Sequence, residues 1–280
     1  MKKINKILLL TDFSEVSENA TSYAMLIAAK TKANVHILHV LNTPVDWVKI
    51  SLENEKLYPE TKAEIGMAKF NLTELTRKFN SQGIEAQQSL VFNLGVENIA
   101  GHIKNKEFDL LIMGSHGTKG IKEVTIGSNA QKIVRRVPIP TLVVKNKHRS
   151  NTIKNIVFAS TFEEDQKNAF KQIAAFSEQI DATLHLLFIN TPYHFVENFE
   201  IEERLKSFCN ICLKPCIKHV YNALNEERGV KYFIKNNEID LFSIATTAKS
   251  GFVQLFTPSL TESLINHLDI PVLSIHRNEA

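Results

Sequence analysis

Four of the chain's ten glycines fall in one stretch, "LIMGSHGTKGIKEVTIGSNAQKI" (111–133), at Gly114, Gly117, Gly120 and Gly127. An apolar run over 110–113 leads directly into Gly114, so the first glycine stands at the carboxyl end of a predicted strand. Glycine there permits a turn with positive φ and close approach of a ligand to the backbone. Gly127 and Ser128 precede "NAQKIVRRV", whose apolar residues at 130, 133, 134 and 137 recur at helical spacing. A helix start offers unpaired N–H groups and a partial positive charge, both of which suit phosphate. Ser128 either caps that helix or hydrogen-bonds the phosphate. Asp12, ending "KILLLTD", adds a carboxylate able to bond a base or sugar, or to help hold Mg²⁺. The plain alternative is that these glycines only make turns. No GxxxxGK[ST] loop is present, and no GxGxxG follows the first strand.

The elements that must position these residues occur twice. "INKILLLTDFSEVSENA" (4–20) aligns with "IKNIVFASTFEEDQKNA" (153–169) at an offset of 149. "FDLLIMGSHG" (108–117) aligns with "IDLFSIATTA" (239–248), and "VPIPTLVV" (137–144) with "LDIPVLSI" (268–275), both at an offset of 131. The second copy is thus 18 residues shorter in its middle, the difference of the two offsets. A duplication is the economical reading, with domains at 1–147 and 152–280 and a polar linker within 145–155. Strands are expected at 5–11, 34–41, 84–92, 108–113 and 141–145, then at 154–160, 183–190, 215–222, 240–246 and 271–276. Helical periodicity falls between them, at 17–32, 127–137, 162–180 and 197–213. The strand runs are almost continuously apolar, as in parallel strands covered on both faces. The expected class is α/β, with two tandem doubly wound parallel-sheet domains. The extra residues of the first copy fall in or beside 43–66, read either as a loop plus a helix start or as a lid.

Gly114-x2-Gly117-x9-Gly127-Ser128 matches the G-x2-G-x9-G-[ST] pattern of universal stress proteins. "KILLLTDFSE", "VHILHVLN" and "RRVPIPTLVVK" also resemble that family's first strand and acidic turn, its second strand and its last strand. Nearly the whole chain resembles a tandem member. The resemblance implies a Rossmann-like, adenine nucleotide hydrolase-like fold whose two domains pair through their last strands as an internal pseudo-dimer. It further implies ATP binding in the first copy, with ADP or AMP as alternatives and Mg²⁺ alongside. Leu10, Thr11, Asp12 and Val40 would border adenine and ribose. Met113 and Gly114 would line the sugar and α-phosphate, and His116 and Gly117 would lie near the phosphates. Gly127, Ser128 and Asn129 would donate to the β- and γ-phosphates. The second copy departs from the pattern: Asp12 maps to Thr161, Gly114 to Ala245, Gly117 to Ala248 and Gly127 to Pro258, which removes an N–H donor. It is read as degenerate. Because that copy keeps the fold without these glycines, a ligand is the better reason for them in the first.

Composition narrows the alternatives. A chain of 280 residues that is 44% hydrophobic can bury two ordinary cores. A net charge of +3 without a basic run argues for no nucleic acid and no membrane surface as partner. The four apolar residues at 7–10 are too few for a signal segment, and a cytoplasmic protein is expected. Three cysteines make no disulfide framework. Cys209, Cys212, Cys216 and His219 spell C-x2-C-x3-C-x2-H, which resembles a zinc spacing. The repeat sets the first two at a helix end and the other two on a strand, facing opposite sides. They are read as free cysteines acting as small apolar residues, with no metal site. His36 and His185, equivalent in the repeat, are read as structural. No nucleophile motif is present and no catalytic residue is assigned. The expected function is nucleotide-dependent regulation of protein partners not identified by sequence, with a homodimer as an option. The alternatives are a slow ATPase or self-phosphorylating protein using the same pocket (His116 as base; Ser115, Thr118 or Ser128 as acceptor), or a nucleotide-free scaffold.

Overall fold

Strands form where aliphatic and β-branched residues run together; the inner runs are walled on both faces, whereas the two edge strands, over 86–92 and 217–222, are more polar and only half-buried or exposed. The structure is a computed structural model and describes residues 3–93, 95, 99, 103, 107–115, 130, 132–134, 137–145, 152–246, 263–264 and 266–276. The first five strands are β1 (Lys6–Leu10), β2 (Asn34–Leu41), β3 (Ala86–Phe92), β4 (Leu110–Gly114) and β5 (Thr141–Val144). The second five are β6 (Asn155–Ala159), β7 (Thr183–Asn190), β8 (Ile217–Asn222), β9 (Leu241–Thr246) and β10 (Val272–His276). They make one sheet in the order β3-β2-β1-β4-β5-β10-β9-β6-β7-β8. Each half has the doubly wound order, with its first strand between its second and fourth. Ile7 pairs with Val35 on one side and Leu110 on the other; Ile156 pairs with Leu184 and Leu241. All pairings within a half are parallel. The halves join through β5 and β10, antiparallel, with Leu142 opposite Leu273.

The helices are α1 (Glu15–Thr31), α2 (Leu52–Glu55), α3 (Pro59–Ser81), α4 (Lys167–Gln179), α5 (Asn198–Cys209) and α6 (Glu226–Asn236). One apolar cluster joins the sheet to residues of α1, α3, α4 and α5. A second, on the other face, gathers Ile99, Ile103, Ile133, Val134, Val230, Phe233 and Leu264. The segment 43–66 is a loop with the short α2, followed by the start of α3 at Pro59, a favoured first helical position. The helix expected from 162 begins only at Lys167. Phe162 takes a left-handed φ of 55° and buries its ring against Phe158 and Phe208, and a 3₁₀ turn follows. Among the described residues no helix is long and apolar enough to cross a membrane.

Candidate functional site

The order of strands reverses between β1 and β4, and ligand crevices of such sheets open beyond the carboxyl ends at that point. At the end of β1 the chain is tightly organised. Thr11 is buried, accepts from the Phe13 N–H at 3.1 Å through its hydroxyl and donates to Ser17 Oγ at 3.1 Å. Phe13 turns with a φ of 63°. Asp12 Oδ1 accepts from the Ser14 N–H at 3.1 Å and from its hydroxyl at 2.6 Å. Ser14 in turn caps α1 by accepting from the Ser17 N–H. Asp12 therefore shapes the turn that starts α1, and its half-buried carboxylate stays at the strand end.

His39, on β2, is a part of this site that sequence reasoning missed. It is buried, its Nδ1 lies 2.8 Å from the Thr11 carbonyl, and its ring lies 4.7 Å from that of Phe13. That bond assigns the proton to Nδ1, since a carbonyl can only accept. The only hint in the sequence is a histidine two residues before the strand's end.

Leu10 and Val40 pack against the apolar cluster that lines this face of both halves, Met113 belongs to it, and the strand register sets Leu10 beside Leu38 and Leu9 beside Ile112. Gly114 ends β4, but two expectations about it need correction. Its φ is not positive; Gly83 is the glycine of positive φ among the described residues. Gly114 also has a packing reason to lack a side chain, because a Cβ would stand 3.0 Å from Val16 Cγ1 and 3.3 Å from the Val16 carbonyl. In the second half the residue aligned with Val16 is Asp165, and Ala245 fits at the position of Gly114. The close approach at Gly114 is thus first of all that of α1. His116, Gly117, Gly127, Ser128 and Asn129 lie outside the described residues, as do Ala248 and Pro258. Beyond them, Ala130, Ile133, Val134 and Val137 are all buried, as helical spacing predicted.

The corresponding strand end of the second half is occupied by its own side chains. Thr161, in the place of Asp12, accepts from Gln166 Nε2 at 2.8 Å. Arg204 of α5 donates to the Thr161 carbonyl at 3.2 Å and pairs with Glu200 at 2.6 Å.

The cysteine reading needs a correction. Cys209 and Cys216 form a disulfide, with Cα atoms 5.9 Å apart. The turn through Pro215 brings the strand start back beneath the end of α5, a proximity that spacing alone does not reveal. Cys212 is free, and burial, with the Glu178 carboxylate nearby, pushes its thiol up to about 11. All three pack against the α5 side of the sheet, whereas His219 meets Phe233 of α6 on the other side at 4.7 Å. His219 instead bonds His185, with Nδ1 and Nε2 3.0 Å apart and the ring planes within 6°. His36, the equivalent of His185, bonds Ser89 Oγ at 2.9 Å.

The model of the Universal stress protein family matches residues 3–145. Universal stress protein Slr1230 of Synechocystis sp. is 26% identical over 294 residues, covering 97% of this chain and 99% of that relative. Universal stress protein MJ0577 of Methanocaldococcus jannaschii is 28% identical over 163 residues, 51% of this chain and 96% of the relative. Among solved structures, a universal stress protein from Archaeoglobus fulgidus has a TM-score of 0.76 at 16% identity, covering 99% of this chain and all of that one. At that identity the likeness is one of fold.

Proposed function

Because this chain belongs to the universal stress protein family, we propose that its first half, residues 1–147, binds ATP where strand order reverses between β1 and β4. The observation that carries the reading is the strand register, which sets Leu10 beside Leu38 and Leu9 beside Ile112, so that Leu10, Val40 and Met113 lie on neighbouring strand ends where the glycine series departs. Those side chains suit a flat base, the carboxylate of Asp12 beside them suits a ribose or a magnesium-bound phosphate, and Thr11 holds the turn through Ser17 and Phe13 so that its backbone borders the base. Met113 and Gly114 would line the sugar and first phosphate. His116, Gly117, Gly127, Ser128 and Asn129 are proposed for the phosphates on their spacing, with backbone N–H groups as donors. Bound Mg²⁺ would supply charge neutralisation between the phosphates. The second half, 152–280, is proposed as a degenerate copy without this mode of binding. Support comes from Arg204 and Gln166, which fill its strand end, and from Thr161 in place of a carboxylate. The protein would act as a cytoplasmic regulator whose nucleotide occupancy tunes contacts with partners.

The test is mass spectrometry of nucleotide released from purified protein, with calorimetric titration of ATP. ATP is expected, and Gly127→Pro should abolish binding while the circular dichroism spectrum is unchanged. A protein that neither releases nor binds an adenine nucleotide overturns the reading, and affinity that survives Gly127→Pro overturns the placement of the phosphates. ADP or phosphoprotein in its place would move the reading to turnover in the same pocket.

A further inference from the structure

The segment that leaves β7 displays aromatic side chains that the fold does not bury. Tyr193 is 88% exposed, Phe195 70% and Phe199 65%. They are not held out by slack chain. Asn190, 4% exposed, clamps the segment, with Oδ1 accepting from the Val196 N–H and Nδ2 donating to the Val196 carbonyl, both at 3.0 Å. Val196 packs inward against the core, so Phe195 and Glu197 on either side of it are turned outward. On α5, Phe199 shares an exposed face with Glu202 and Glu203, three and four residues on. Residues 193–203 hold four glutamates and neither lysine nor arginine, in a chain whose net charge is +3. Glu200 pairs with Arg204, whereas Glu197, Glu202 and Glu203 are exposed and form no ion pair among the described residues.

We propose that this surface docks a lysine- and arginine-rich segment of a partner protein. The charge selects the occupant. Exposed aromatic faces attract guanidinium and ammonium groups, and the interleaved carboxylates attract the same groups over a longer range. An anionic membrane or an acidic peptide would be repelled. The first half shows a related display after its own second strand, where Val48, Leu52 and Leu57 are exposed among Asp46, Glu53 and Glu55. There the rings of Trp47 and Tyr58 are only half-exposed, and Lys49 and Lys62 already pair with Asp46 and Glu55, so the docking surface belongs to the second half.

The test is fluorescence anisotropy of a labelled nona-arginine peptide added to the full chain, with nona-glutamate as control. Two variants are compared with the parent: Phe195→Ser with Phe199→Ser, and Glu197→Gln with Glu202→Gln and Glu203→Gln. Every substituted side chain is exposed, and an unchanged thermal melt confirms folding. The expected result is binding of the basic peptide alone, weakened roughly tenfold by each variant. No binding by the parent, equal binding by the variants, or loss through the charge variant alone overturns the proposal. So does a homodimer that sedimentation finds in the parent and not in the variants, because it assigns the face to a second copy.

Discussion

His185 shows how one half-buried side chain sets a pH dependence. Burial, helped by the neighbouring His219, lowers its pKa from 6.5 to about 4. The folded protein therefore resists protonating it, while the unfolded chain takes up the proton below the ordinary value. Below that value the unfolded state holds more protons, so stability rises with pH. The contribution is fully present above pH 6.5 and fades as pH falls towards about 4. Because the ring is only half-buried, the expected loss is about 1–2 kcal/mol. Urea midpoints at neutral pH and near the low end of that window should differ for the parent and differ less for His185→Gln. Equal pH slopes in the two proteins would disprove it. Its structural role was legible from the repeat, which pairs it with His36. Its partner was not, because β8 is brought beside β7 only by the sheet. Gly114 teaches the same lesson: its place at a strand end was readable, but the contact with Val16 arises only when α1 folds back over β4.

Two glycines inside helices separate local preference from packing. Gly66, in α3, has nothing within 4 Å of where a Cβ would stand. Replacing it with alanine should stabilise the protein by about 0.5–1 kcal/mol, since glycine is a poor helix former. Gly229, in α6, has Ile189 Cγ2 at 2.6 Å and Ala223 Cβ at 3.1 Å from the same position. There the gain in helix propensity is outweighed by overpacking against β7, about 1–3 kcal/mol, so Gly229→Ala should lower the melting temperature. Melting temperatures that move the same way in both variants would contradict this account of how α6 docks. At this scale much was readable. The runs "KILLL", "LLIM" and "TLVV" are strands because both faces are covered, and the burial of Ala130, Ile133, Val134 and Val137 follows their spacing. What was not readable depends on tertiary closure. The start of α4 is displaced by Phe162, whose ring is drawn into the core, and Cys209 meets Cys216 only through the turn at Pro215.

For the whole molecule, the two aligned copies made the duplication legible, the family resemblance implied the pairing of last strands, and the sheet joins its two similarly ordered halves through β5 and β10. What joins the halves is core rather than tether. Leu142, Val143, Val144, Val272, Leu273 and Ile275 are at most 2% exposed, and burying each such side chain is worth about 1.5–3 kcal/mol. Polar contacts add to this at the end of β5. The Lys145 ammonium donates to the carbonyl of Asn266 in the second half, and its own carbonyl accepts from Asn19 of α1 at 3.0 Å. Burial pushes the Lys145 pKa down, and the nearby Asp269 carboxylate offsets part of that shift. The chain between the halves should then be dispensable once folding is complete. A protease site placed between Asn146 and Asn151 and cut in the native protein should leave two fragments that elute together and unfold in one transition. Leu273→Lys, which sets a charge opposite Leu142 at the centre of the join, should release them on cutting. Fragments that separate without that substitution would mean that the linker, and not the β5–β10 pair, holds the halves together.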